Sequence, residues 1–111
     1  MKKFTHVMID LETLGTNPDC VILSLGAVEF DPATGEQGRE YYEVIDRGSQ
    51  QHLGRTEDSS TLAWWDRQSP EARKVLTAPG KAISSVLMDF KAWLPPSCKP
   101  WAKGPTFDIA I

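Results

Sequence analysis

The stretch Val7-Met8-Ile9-Asp10-Leu11-Glu12-Thr13 constrains this chain more than any other, because an apolar strand runs directly into two carboxylates. Side chains at i and i+2 of a strand point to the same face, so Asp10 and Glu12 stand side by side. At ~3.3 Å of rise per residue their Cα atoms lie about 6.5–7 Å apart. That spacing lets both carboxylates converge on one divalent cation, or on a pair of cations about 3.5–4 Å apart. Like charges at the end of an apolar strand repel each other and lose solvation, so a positive partner is expected to neutralise them. Asp-x-Glu also ends many ordinary strands, with both carboxylates solvated in a turn, and only the remainder of the sequence separates the two readings.

Length and charge narrow the field. Residues 1–111 are enough for a single domain with a real core. With 41% apolar and 24% charged residues the chain reads as soluble and globular. Four Trp is a high number for this length and suggests packing sites or base-stacking surfaces. A net charge of −3 argues against generic binding to duplex DNA, which needs a basic face. It leaves room for an enzyme that meets phosphate through bound metal, since the ion carries its own positive charge. Cys20 and Cys98 form no ligand cluster and are too few for a disulfide framework, so a reducing, cytoplasmic location is expected. His6 and Asp10 interrupt what would be the apolar core of a signal peptide after Met1-Lys2-Lys3. The longest apolar run, within residues 21–28, is far too short to span a membrane.

Along the chain, a first strand is expected over residues 5–9, followed by the Gly- and Asn-Pro-punctuated loop 14–19. Residues 20–30 predict a long apolar strand in which Gly26 marks a bulge or close backbone approach. A turn at 31–35 leads to a third strand over 39–46, which places Tyr41 and Ile45 on one face and Tyr42 and Val44 on the other. The polar stretch 47–60 reads as a loop. Residues 61–68 predict a short helix carrying Leu62, Trp64 and Trp65, and Ser69-Pro70 caps a second helix over 70–76. A third helix over 81–94 carries the stripe Ile83, Val86, Leu87, Phe90 and Leu94, and Pro95-Pro96 ends it. A short fourth strand is expected over 99–103. The layout is α/β: an antiparallel three-strand meander plus a further strand in one mixed sheet, covered by helices. The apolar ending 107–111 reads as an element barely begun, so the chain looks incomplete at its C-terminus.

Asp10, Glu12 and Asp108 are three acids next to the turns that flank apolar elements. With this strand order they resemble the DEDD superfamily of 3′–5′ exonucleases, which has a ribonuclease H-like fold. Asp10-Leu11-Glu12-Thr13 matches the family's first motif, Asp-x-Glu-Thr, and Phe107-Asp108 matches the core of the second. The phage and prophage branch, some of whose members are named exodeoxyribonuclease VIII, is the nearer likeness. That branch carries a segment like Thr61-Leu62-Ala63-Trp64-Trp65-Asp66-Arg67-Gln68-Ser69-Pro70-Glu71-Ala72-Arg73. It also has a Trp-x-x-Gly-x-x-Phe-Asp pattern, here Trp101 to Asp108. The resemblance covers nearly the whole chain, in order.

The resemblance implies four carboxylates holding two divalent cations, Mg²⁺ or Mn²⁺, that activate water and stabilise in-line displacement at phosphorus. Carried over by position, Asp10 would bridge both metals, Glu12 would bind the nucleophile-side metal, and Asp108 would act on the second. The family's third motif, with the fourth carboxylate and a His or Tyr base, has no counterpart after Asp108, and His6 and His52 are poor substitutes. The chain thus reads as the N-terminal two-thirds of an exonuclease domain, weakly active or inactive by itself. The expected substrate is a single-stranded DNA or RNA 3′ end, released as nucleoside monophosphates. A non-catalytic remnant or nucleic-acid-binding module is the alternative, and an internally cutting ribonuclease H-like nuclease is a third reading.

Other residues bear on substrate binding. Trp64 and Trp65 either pack in the core or stack on an unpaired base; adjacent helical positions point about 100° apart, so one can do each. Thr13, Leu14 and Gly15 follow the acidic pair where a terminal nucleotide would approach the backbone. Gln68, Lys103 and Phe107 complete the candidate set for contact with base or phosphate. An exposed sheet edge and apolar surface make self-association an expectation.

Overall fold

The computed structural model describes residues 3–102. Strands β1 (His6–Thr13), β2 (Ile22–Phe30) and β3 (Gln37–Val44) come first. Helices α1 (Ser59–Asp66), α2 (Pro70–Thr77) and α3 (Ile83–Trp93) follow, and then β4 (Lys99–Ala102). The sheet order is β3-β2-β1-β4; β1, β2 and β3 are an antiparallel meander, and β4 lies parallel to β1. This is the mixed α/β sheet expected from the element order.

The first strand differs from expectation in one way that matters for the site. It continues through the acidic pair to Thr13 rather than ending at residue 9, because β2 is long enough to pair with it throughout. Asp10 pairs with Gly26 and Glu12 with Ser24, two small residues that leave room for the carboxylates. The ladder then slips: Glu12 faces Ser24 but Thr13 faces Ile22, so Leu23 is an extra residue on β2. Such a bulge reverses the alternation beyond it. Ile22 joins Leu25, Ile45, Ile83 and Val86 beneath α3, while Leu23 joins Leu14, Val21 and Trp65 beneath α1 and α2.

On the α3 side, Ile83, Val86 and Phe90 of the predicted stripe meet the sheet against Ile9, Leu11 and Tyr41. Fully burying one such side chain contributes about 1.5–3 kcal/mol. Leu87 and Leu94 instead border a cavity of about 360 Å³ between α3 and the sheet. Arg39 ties α3 to the meander by donating to both carboxylate oxygens of Glu29 and to the Trp93 carbonyl, with its guanidinium 5.0 Å from the Trp93 ring centre.

Two connections explain boundaries that periodicity misplaced. Ile45 still donates its N–H to the Leu23 carbonyl of β2, after which the chain leaves that ladder. The Asp46 N–H donates to the Lys81 carbonyl and the Lys81 N–H to the Val44 carbonyl, and a Cβ on Gly80 would stand 2.7 Å from the Asp46 nitrogen. Only glycine lets the segment before α3 pass that close. The presumed loop 47–60 contains a 3-10 turn, Gly48–Leu53, that buries Gln50 completely. The Gln50 amide accepts from the Ile22 N–H and donates to the Ile22 carbonyl, as a neighbouring strand would. Asp58 caps α1 by accepting from the Ser60 N–H, which starts that helix two residues before the periodicity indicates. Ser69 and Pro70 open α2 as expected. Among the described residues no helix is long and apolar enough to cross a membrane.

Candidate functional site

Asp10 and Glu12 project from β1 on the sheet face opposite α3, as strand alternation requires. Asp10 is exposed and Glu12 partly buried. Across the ladder Ser24, 1% exposed, donates from Oγ to Glu12 Oε1 at 3.0 Å. Glu12 Oε2 and the Asp10 carboxylate have no hydrogen-bond partner among the described residues. Opposite Asp10 the bare Gly26 leaves a depression of about 480 Å³ floored by Met8, Val28 and Tyr42. A Cβ at Gly26 would make only ordinary contacts, 3.6 Å from the Asp10 carbonyl oxygen. Glycine here supplies space rather than relieving a clash.

Glu12 also borders a cavity of about 450 Å³ between the end of β1 and α1. The α1 wall is a helical stripe: Thr61, Trp64 and Trp65 occupy i, i+3 and i+4. The two indoles have divided roles. Trp65 is 5% exposed, packs on Leu14, Val21 and Leu23, and donates its indole N–H to the Thr13 carbonyl at 2.9 Å. Trp64 is 48% exposed and meets Trp65 edge-on, ring centres 5.1 Å apart, so about half of its surface is open to solvent.

The structure therefore brings Glu12, Thr13, Gly15, Trp64 and Trp65 together and sets Asp10 beside them on the same strand face. It corrects other expectations. Leu14 is fully buried in the core, so its side chain does not reach the cavity. Gly15 is required by its neighbour, since a Cβ would stand 2.7 Å from Cys20 Cβ. Thr13 Oγ1 is occupied in donating to the Gly15 carbonyl. Gln68 donates to the Trp64 carbonyl and lies outside the cavity lining. Cys20 sits buried behind this turn, and burial pushes its thiol up, which keeps it unreactive. His6 Nδ1 accepts from the Trp101 indole at 2.9 Å, and its ring packs on Phe30 and Trp101 at the far end of β1. Lys103, Phe107 and Asp108 lie outside the described residues.

Among the described residues no three His, Cys, Asp or Glu side chains gather to hold a metal ion. The two that stand together still suit one chemically: both offer carboxylate oxygens with no partner among the described residues, the hard donors that Mg²⁺ and Mn²⁺ prefer.

The family model of the 3′-5′ exoribonuclease Rv2179c-like domain matches residues 5–111. The chain belongs to this family of 3′–5′ exonucleases. The exodeoxyribonuclease of Enterobacteria phage T4 is 29% identical over 119 residues, which cover 94% of this chain and 52% of that protein. This chain thus spans about half the length of this curated relative. Exonuclease I of E. coli, solved in complex with a dT13 oligonucleotide, matches with a TM-score of 0.65 at 15% identity. The match covers 98% of this chain and 22% of that one, and it bears out the ribonuclease H-like fold. The DEDD-type resemblance read from the motifs is borne out with it. Exonucleases of this family generally use divalent metal ions.

Two site residues escaped the sequence reading. Ser24 is marked only by facing Glu12, which needs the strand register. Thr61 is marked only by sharing the Trp64 face, which needs the start of α1.

Proposed function

We propose that this chain carries the first part of a metal-dependent 3′–5′ exonuclease site for single-stranded nucleic acid, releasing nucleoside monophosphates. The observation that supports it best is the cavity in which Glu12, held by Ser24, faces the open ring of Trp64, with Asp10 adjacent on the same strand face.

The chain's own residues have separable tasks in this reading. Asp10 and Glu12 Oε2 would hold divalent cations, with Asp108 as the third carboxylate. Bound Mg²⁺ or Mn²⁺ would supply Lewis-acid charge and acidify the attacking water. Ser24, by engaging Glu12 Oε1, would leave the other oxygen of that carboxylate for a cation. Trp64 would stack on the terminal base, a contact worth roughly 1–3 kcal/mol. Trp65 fixes the β1 end through Thr13 and keeps water from behind the site. Lys103 would neutralise a backbone phosphate, and Phe107 would pack beside the terminal nucleotide.

The test is cleavage of a 5′-labelled single strand with excess Mn²⁺, beside the Asp10→Ala variant. The expected result is a ladder shortening from the 3′ end in the parent and its loss in the variant. The two-carboxylate arrangement also favours a second reading, a strand-binding module without cleavage. Retained binding by folded protein with no products would select that reading. Products with heterogeneous internal ends would select an endonuclease instead.

A further inference from the structure

The hydroxyl groups around the Glu12–Trp64 cavity are not equivalent. Thr13 Oγ1 donates to the Gly15 carbonyl at 2.8 Å, and Ser60 Oγ donates to Asp58 Oδ1 at 3.0 Å, so both are committed to the fold. Thr16 and Thr61 have no hydrogen-bond partner among the described residues. Thr16 is exposed on the loop beyond β1, whereas Thr61 is partly buried. Thr61 stands one helical turn before Trp64 on the same α1 face, in the wall that faces Glu12. Thr61 is the third residue of α1, where the carbonyl four residues back belongs to Glu57 and precedes the helix, so its hydroxyl has no partner among the described residues while the residue lines the cavity.

A base stacked on Trp64 with its backbone directed to Glu12 would place its sugar between the two, beside Thr61. The 2′-hydroxyl, a donor and an acceptor, is the group by which a protein distinguishes RNA from DNA at such a position. We infer that Thr61 reads the sugar of the 3′-terminal nucleotide by a hydrogen bond to its 2′-hydroxyl, making this site selective for ribonucleotide ends. The inference rests on the terminal-nucleotide reading of the cavity. It also bears on the contrast between an exoribonuclease family description and an exodeoxyribonuclease relative. The effect should be moderate, because Thr61 is only partly buried and a deoxyribose would leave its hydroxyl to water rather than orphaned.

Binding tests this without depending on turnover. Two short single strands of one sequence, each 5′-fluorescein-labelled, would end in a ribonucleotide or a 2′-deoxyribonucleotide. They are titrated with the full chain in Ca²⁺ and followed by anisotropy. The ribo-ended strand should bind about two- to tenfold more tightly, the range one hydrogen bond supplies. That ratio should fall to about one in Thr61→Val and survive in Thr61→Ser. Equal affinity for both ends in the parent, or an unchanged ratio in Thr61→Val, overturns the role of Thr61 alone. If Trp64→Ala leaves binding of both strands unaltered, or neither strand binds, the cavity is not the terminal-nucleotide site and the proposal falls with it.

Discussion

The two helical regions that flank the sheet are attached in very different ways. Helix α3 meets the sheet through several side chains at once: Ile83, Val86 and Phe90 pack on Leu25 and Ile45, and Arg39 adds a polar link to the Trp93 carbonyl. Helix α1 buries one residue, Trp65, and α2 buries none. Around that indole are the partly buried Leu62, Val75 and Leu76, the Asp58 cap, and a backbone bond from the Asp58 N–H to the Leu14 carbonyl. The wall that carries Trp64 and Thr61 is therefore held by one buried plug and its partly buried surround, while α3 buries Ile83 and Val86 and adds the Arg39 link. Elements that shape ligand sites often come from the less stable end of a fold. Here the sequence accounts for it in residues.

Removing the plug should break the contrast most sharply. Trp65→Ala should cost about 3–5 kcal/mol locally, seen in hydrogen exchange as early opening of α1 and α2 with α3 still protected. Ile83→Ala, at about 2–5 kcal/mol, should lower protection everywhere, and Trp64→Ala should leave the pattern unchanged. Uniform loss across the molecule in Trp65→Ala would show that the two regions are one cooperative unit.

A smaller effect is expected where a polar side chain stands in for backbone. Gln50→Leu strands the Ile22 N–H and carbonyl and should cost about 1–3 kcal/mol. The urea midpoint should drop accordingly, and a midpoint within error of the parent would mean that water replaces the amide without loss.

The smallest effect sharpens the α3 side. Hydrogen bonds from Arg39 hold the Glu29 carboxyl below the usual glutamate range, against the opposing effect of burial. A depressed folded value means the pair stabilises fully above the unfolded glutamate pKa of about 4.3 and loses that contribution as pH falls through the folded value. The stability gap between the parent and Glu29→Gln should hold from neutral pH to about 5 and close in more acid solution. A gap that persists unchanged in acid would show that Glu29 acts by packing alone.

Local chemistry made some of this legible in advance. The spacing of Asp10 and Glu12 put them on one face, and the Ile83–Val86–Phe90 periodicity found the helix and its buried side. Ser69-Pro70 marked a helix start that the structure keeps. What stayed hidden depends on partners distant in sequence. Leu14 follows the motif closely enough to suggest a ligand contact, but the turn after β1 drives it into the core against Trp65. The slip at Leu23, which sends its neighbour Ile22 to the other core, needs the pairing of β1 with β2. Ser24 becomes part of the site only through that same register.

The Gln50 amide has a further consequence. Beside Ile22, β3 has already turned away to meet Lys81, which leaves one rung of β2 open on that side. An open rung is where an intruding extended segment, from another molecule or a misfolded neighbour, can begin to template itself. A single carboxamide, folded back from a 3-10 turn, occupies both valences of that rung. It closes the sheet to strangers at the cost of one side chain.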